Sequence, residues 1–214
     1  MTDAKARRWW TLAAISLGIL AVTMDTTVLN LALPTLAGVF KASESQLQWF
    51  ITAYTLALVA GMLPAGLVGD RYGRKAVIIG ALIAFCAGSV WCAYAGGPGP
   101  FVVARIILGL AGAGMTVVAL SLVPVLFDEA ERPRAIGIWG SANFLGLPLG
   151  PIVGGWLLSH VWWGWVFLMN VPVALIALVA VMAFVPESRA GSGRASTSWV
   201  CCCPARAWWG SCTV

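Results

Sequence analysis

From Phe101 to Leu126 the chain reads FVVARIILGLAGAGMTVVALSLVPVL. A helix crossing a bilayer core of about 30 Å needs roughly 20 apolar residues. This stretch is long enough, and Arg105 is its only charge. Its apolar residues surround the helix instead of marking one stripe, as expected where a helix faces lipid or other helices. Working outward, the same pattern recurs over roughly 10–33, 47–68, 76–95, 135–158 and 165–185. The expected fold class is therefore an all-α integral membrane protein with six transmembrane helices.

Composition excludes the alternatives. The 214 residues are 60% apolar and 10% charged, against roughly 25% charged in a typical soluble domain. Mean hydropathy is +0.90. So few charges do not make a water-soluble surface, and disorder requires the opposite composition. The ten-residue alternation of an outer-membrane barrel is missing. Trp9, Trp10, Trp49, Trp91, Trp162, Trp163 and Trp165 fall near span ends, where amphipathic rings favour the headgroup level. A secretory signal would end sooner than the run that begins at Thr11, so this run reads as a first membrane helix.

The net charge is +5, and position explains it. Basic residues collect in 1–9 (Lys5, Arg7, Arg8), 69–75 (Arg71, Arg74, Lys75), 127–134 (Arg132, Arg134) and the tail (Arg189, Arg194, Arg206). The intervening segments hold only Lys41. This is the positive-inside pattern, which predicts a multi-pass protein of the cell membrane with both termini cytoplasmic. The expected organisation is a cytoplasmic N-terminus over 1–9, a six-helix bundle over 10–185 and a cytoplasmic tail over 186–214. The basic groups form no continuous stripe, so nucleic acid is not an expected partner. Cys201, Cys202 and Cys203 lack the spacing of a zinc site, and no metal is expected. Cys86 and Cys92 read as packing residues.

Ionisable groups inside spans are costly and are usually functional. Two lie well inside, Asp25 and Arg105. Counted from Pro34 and from the start of the fourth span, they lie roughly 13 Å and 8 Å below the same surface at 1.5 Å per residue. Those depths allow a shared cavity, where burial and a nearby cation act oppositely on a carboxyl group. Asp25 therefore reads as a proton-coupling site or a counter-ion for a cationic substrate. The bland alternative is a structural Asp bonded to Thr26, Thr27 or Asn30. Arg105 reads as a coupling group or as half of a fixed ion pair. The only His, His160, reads as a solvated side chain in an outer loop.

Two further motifs stand out. Gly66-Leu67-Val68-Gly69-Asp70-Arg71-Tyr72-Gly73-Arg74-Lys75 lies between the second and third spans. Its glycines allow a tight turn, and Asp70 is placed to cap the next helix. A plain basic turn is the simpler reading. In the fifth span, Gly146, Gly150, Pro151, Gly154 and Gly155 combine glycines at four-residue spacing with a proline. Such glycines open a groove on one helix face, and Pro151 interrupts the hydrogen-bond ladder.

Together these stretches resemble the N-terminal half of a major facilitator superfamily transporter, in its fourteen-helix drug:proton antiporter branch. The loop Gly66–Lys75 is similar to the superfamily signature between helices 2 and 3. The run Met24–Pro34, with Asp25 and Asn30, resembles the branch's helix 1 motif. Gly146–Gly155 resembles the antiporter motif of helix 5, and Arg105–Ala113 the helix 4 motif, with Leu108 where Gln is often found. Trp162–Pro172, with Phe167, Asn170 and Pro172, fits the start of helix 6. The resemblance covers about 12–186. It implies alternating access, driven by the proton gradient without another cofactor, exporting small hydrophobic or cationic drugs and antibiotics. Asp25, Arg105 and Asn30 would serve proton coupling or substrate. Gly66, Asp70, Arg71, Gly73, Arg74 and Lys75 would form a conformational latch. The Gly146–Gly155 groove would let helices pivot. The partner so implied, besides lipid, is a missing C-terminal bundle.

The tail has its own reading. Cys, Trp and many Ser codons begin with T, and a shifted frame makes that T a middle base, which encodes only apolar residues. Read so, 195–214 resembles the start of a seventh helix, which predicts a frameshift near 187–195 and a truncated transporter inactive alone. The alternative is a six-helix subunit that acts by homo- or hetero-oligomerisation. An enzyme is not expected, because one buried Asp forms no carboxylate dyad and G-x-S-x-G is lacking.

Overall fold

A computed structural model of the protein describes residues 2–185. The chain forms α1 (Thr2–Phe40), α2 (Glu44–Tyr72), α3 (Arg74–Ala93), α4 (Pro98–Leu126), α5 (Arg132–His160), α6 (Trp165–Leu168) and α7 (Asn170–Phe184). Six spans among the described residues are long and apolar enough to cross a membrane, the sixth being Trp165–Phe184. The expected tail, 186–214, and the frameshift assigned to it lie outside the described residues.

The helices outrun the expected spans. At 29 residues α2, α4 and α5 reach about 43 Å at 1.5 Å per residue. Hydropathy marks only the part in hydrocarbon, and the helices continue through the interface. The same correction applies at the N-terminus, where 2–9 is already helical. Pro34 does not end α1, which continues to Phe40. Neighbouring helices stabilise a proline-broken ladder in such bundles. The end comes at Lys41, at φ 47°, with Ala42 N–H donating to Ala37 O at 3.2 Å. That is a Schellman closure.

Local chemistry sets the other boundaries. Ser43 caps α2 and exchanges hydrogen bonds with Gln46, a capping box. Gly73, at φ 97°, is the one residue between α2 and α3. A side chain there would be strained, because this region favours glycine. Pro98 opens α4, where its missing N–H has no helical partner to lose. Pro172 sits in the first turn of α7 and is tolerated for the same reason.

Helices α1 and α4 form the inside of the bundle, with about two thirds of their most apolar windows buried, while α5 is 11% buried. Helix α4 packs between α2 and α3, α1 packs between α5 and α7, and α1 touches α4. Exchanging α1 with α4, α2 with α5 and α3 with α6–α7 maps these principal contacts onto themselves. Two three-helix units thus repeat in space, although no repeat is visible in the residues. Apolar side chains such as Leu63, Leu67, Phe144 and Ile152 face outward on α2 and α5.

Candidate functional site

The centre of the site is an ion pair between the two inner helices. Arg105 Nη1 donates to Asp25 Oδ2 at 2.6 Å, and both residues are 1% exposed. Arg105 Nε donates to Phe50 O on α2 at 3.2 Å. The Tyr54 ring, also on α2, lies 4.3 Å from the guanidinium carbon, a cation–π contact. On the opposite side of the carboxylate, Asn170 Nδ2 donates to Asp25 Oδ1 at 3.0 Å. Three spans therefore meet at one carboxylate, and α2 holds its guanidinium partner. Toward the α1–α2 end, Phe50, Phe101 and Phe167 are fully buried and pack ring against ring.

Close backbone approach makes this possible. A Cβ on Gly109 would collide with Tyr54 O and stand 2.9 Å from Ala57 Cβ, so Gly109 lets α2 carry Phe50 and Tyr54 up to Arg105. Helices α1 and α5 meet likewise. A Cβ on Gly146 would stand 2.8 Å from Thr23 Cβ, one on Gly154 2.8 Å from Val28 Cγ1, and one on Gly150 would overlap Thr27 Oγ1. Gly155 stands looser, 3.4 Å from Leu31 Cδ2. Pro151 is exposed, and α5 continues through it as one helix. Its missing N–H removes one ladder bond without ending the helix. Thr23 Oγ1 and Asn143 Oδ1, 2.6 Å apart, add a polar clasp across the α1–α5 groove.

Not every expected partner is at the centre. Asn30 is exposed, because five residues turn a helix roughly 140° away from Asp25. Thr26 and Thr27 donate to backbone carbonyls of their own helix. None of the three takes part in the Asp25 hydrogen bonds. Leu108 is buried and fills the space beside Gly88, packing α4 on α3. The residues that attention to formal charge overlooked are Tyr54, and Asn170 as a partner of Asp25. An Asn two residues before a proline at a helix start was the available signal for the second.

The Gly66–Lys75 stretch differs from its sequence reading. Gly66 and Gly69 lie inside α2, facing Val117 and Val118 of α4. Asp70 does not cap α3. It ends α2 largely exposed, 3.6 Å from Arg74. Arg74 Nη1 donates to Ser121 O at 2.7 Å and Lys75 Nζ to Met182 O at 3.1 Å. Arg71 lies over its neighbour Tyr72. Arg8 Nη1 donates to Leu126 O and lies 3.7 Å from Asp128. Cations at helix C-terminal carbonyls are favoured by the dipole. These contacts gather the basic segments at one end of the bundle. His160 is exposed at the other end, stacked on Trp156.

The structure is a six-span bundle closed around a buried ion pair, and comparison identifies its class. Residues 15–201 match the Major Facilitator Superfamily, and the chain belongs to that family of membrane transporters, a non-enzymatic class. It is 40% identical over 189 residues to the multidrug efflux pump LfrA of Mycolicibacterium smegmatis, covering 88% of this chain and 38% of the pump. It is 37% identical over 186 residues to the tetracenomycin C resistance and export protein of Streptomyces glaucescens, covering 87% of this chain and 35% of the relative. The chain thus spans little more than a third of these relatives. Its fold matches the inward-open xylose transporter XylE of E. coli at TM-score 0.76 and 21% identity, over 85% of this chain and 49% of that one.

Proposed function

We propose that the chain forms the proton-coupling half of an efflux antiporter for hydrophobic or cationic drugs and antibiotics, in the plasma membrane with both termini cytoplasmic. The observation that carries this reading is the buried Asp25–Arg105 pair, held between α1 and α4 and joined by Asn170. A buried pair in hydrocarbon is expensive and is retained where it has a use. The names of the relatives, a multidrug efflux pump and a tetracenomycin C resistance and export protein, support export of drugs.

In this reading Asp25 takes a proton on one side of the membrane and loses it on the other, and the proton gradient is the only energy source. Protonation removes the charge that holds Arg105, which loosens the α1–α4 contact. The α1–α5 glycine groove is smooth enough for one helix to pivot on the other. Export requires a second bundle, because rocking halves enclose a site at their interface. Asp70, largely exposed near the end of α2 beside Arg74, then latches onto that bundle. The chain alone is inactive in this account.

The test replaces the matching segment of LfrA with residues 15–185 of this chain and follows export of a fluorescent organic cation from efflux-deficient cells. The chimera exports while the proton gradient stands. Asp25→Asn is expressed equally but does not export. Equal export by both proteins rejects the coupling role. A stable dimer that exports without a second bundle points instead to a subunit working by self-association.

A further inference from the structure

We infer that Asn170 is a positioning residue that reads the protonation state of Asp25. It donates to the carboxylate and, after its amide turns over, accepts from the carboxylic acid. The inference rests on the reading of Asp25 as the proton-coupling group.

The two carboxylate oxygens are divided between two helices. Oδ2 belongs to Arg105 of α4, and Oδ1 to Asn170, the first residue of α7 and 2% exposed. A carboxylate only accepts, so the amide must present its NH2. A guanidinium only donates, so a proton placed on Oδ2 would point an O–H at N–H groups. Oδ1 is the oxygen suited to take the proton, provided that its partner becomes an acceptor. Asn170 carries an acceptor at the other end of the same amide. A half-turn of that side chain exchanges the two without moving backbone.

The surroundings leave this role to Asn170. The other titratable side chains beside the pair are Tyr54 of α2, whose ring lies on the guanidinium, and Cys92 of α3. Helix α5 carries its ionisable groups only at its ends, and α7 carries none. A buried acid proton without an acceptor costs the desolvation of that group, and the turned amide removes that cost. The consequence is directional. Protonation weakens the charged tie from α1 to α4 but preserves the neutral tie from α1 to α7. The same side chain thus keeps α7 moving with α1.

The test is pH-difference infrared spectroscopy of the intact chain in lipid nanodiscs, with asparagine labelled with carbon-13 at its amide carbonyl. The chain has three Asn residues, Asn30, Asn143 and Asn170, and loss of a band in Asn170→Leu assigns it. Where that variant does not fold, Asn170→Ser keeps a group that both donates and accepts, lacks the carbonyl and gives the same assignment. The expected result is a carboxylic-acid band, absent from Asp25→Asn. It appears together with a downward shift of the Asn170 carbonyl band, which has become an acceptor. An Asp25 acid band with no movement of the Asn170 band overturns the inference and leaves the role of Asp25 standing. No Asp25 band across the pH range of the folded protein overturns both.

Discussion

Arg105 of α4 is gripped from two other helices, by a carboxylate on α1 and by a carbonyl and an aromatic ring on α2. Removing one member of such a buried pair leaves the other charge uncompensated. Arg105→Met is expected to lower stability by about 3–5 kcal/mol, read as an earlier thermal unfolding in detergent. Tyr54 contributes its ring rather than its hydroxyl, for Oη has no hydrogen-bond partner among the described residues. Tyr54→Phe should therefore unfold within a degree or two of the parent, whereas Tyr54→Leu should lose about 2 kcal/mol, the value of a desolvated cation–π contact. Equal losses would show that the hydroxyl matters and the ring does not. Asp25 and Arg105 were legible in the sequence because charge in an apolar run is conspicuous. Asn170 as a partner was not, since a neutral amide is far less conspicuous in hydropathy. Asn30 stays outside the Asp25 hydrogen bonds because closeness along a helix is not closeness around it.

At the scale of the helix, packing is decided by where glycine permits backbone contact. Gly109 faces Tyr54 O, while a Cβ on Gly140 would meet nothing within 4 Å. Gly109→Ala is expected to cost about 1–3 kcal/mol by overpacking and to push α2 off Arg105. Gly140→Ala should be neutral or slightly stabilising, because alanine is the better helix former. Paired thermal-unfolding measurements check this, and equal effects would contradict the close approach of α2. Existence and order of the spans were plain from hydropathy. Their ends were not, because α2, α4 and α5 extend past the hydrocarbon and α1 runs through Pro34. Nor does the one-letter pattern show that α2 runs past Gly69 to Tyr72 and leaves only Gly73 to the turn.

For the whole molecule, three of the described basic residues share one rim. Arg8, Arg74 and Lys75 reach carbonyls near the ends of α4 and α7, while Lys41 and His160 are exposed at the other end. The orientation proposed here makes a single cysteine at Lys41 reactive toward an impermeant maleimide in intact cells. One at exposed Glu129 reacts only after the cells are opened, in a background with the native cysteines replaced. The reverse labelling would invert the topology. The spatial repeat of two three-helix units was invisible in the residues, since such repeats preserve contacts rather than side chains.

In the proposed mechanism Asp25 gives up its proton when substrate binds. The direct measurement is proton release from the purified LfrA chimera in weakly buffered detergent, followed with a pH indicator as an organic cation is added. Release is expected from the parent chimera and none from Asp25→Asn, with substrate binding measured separately in both. Equal release from the two proteins would contradict it.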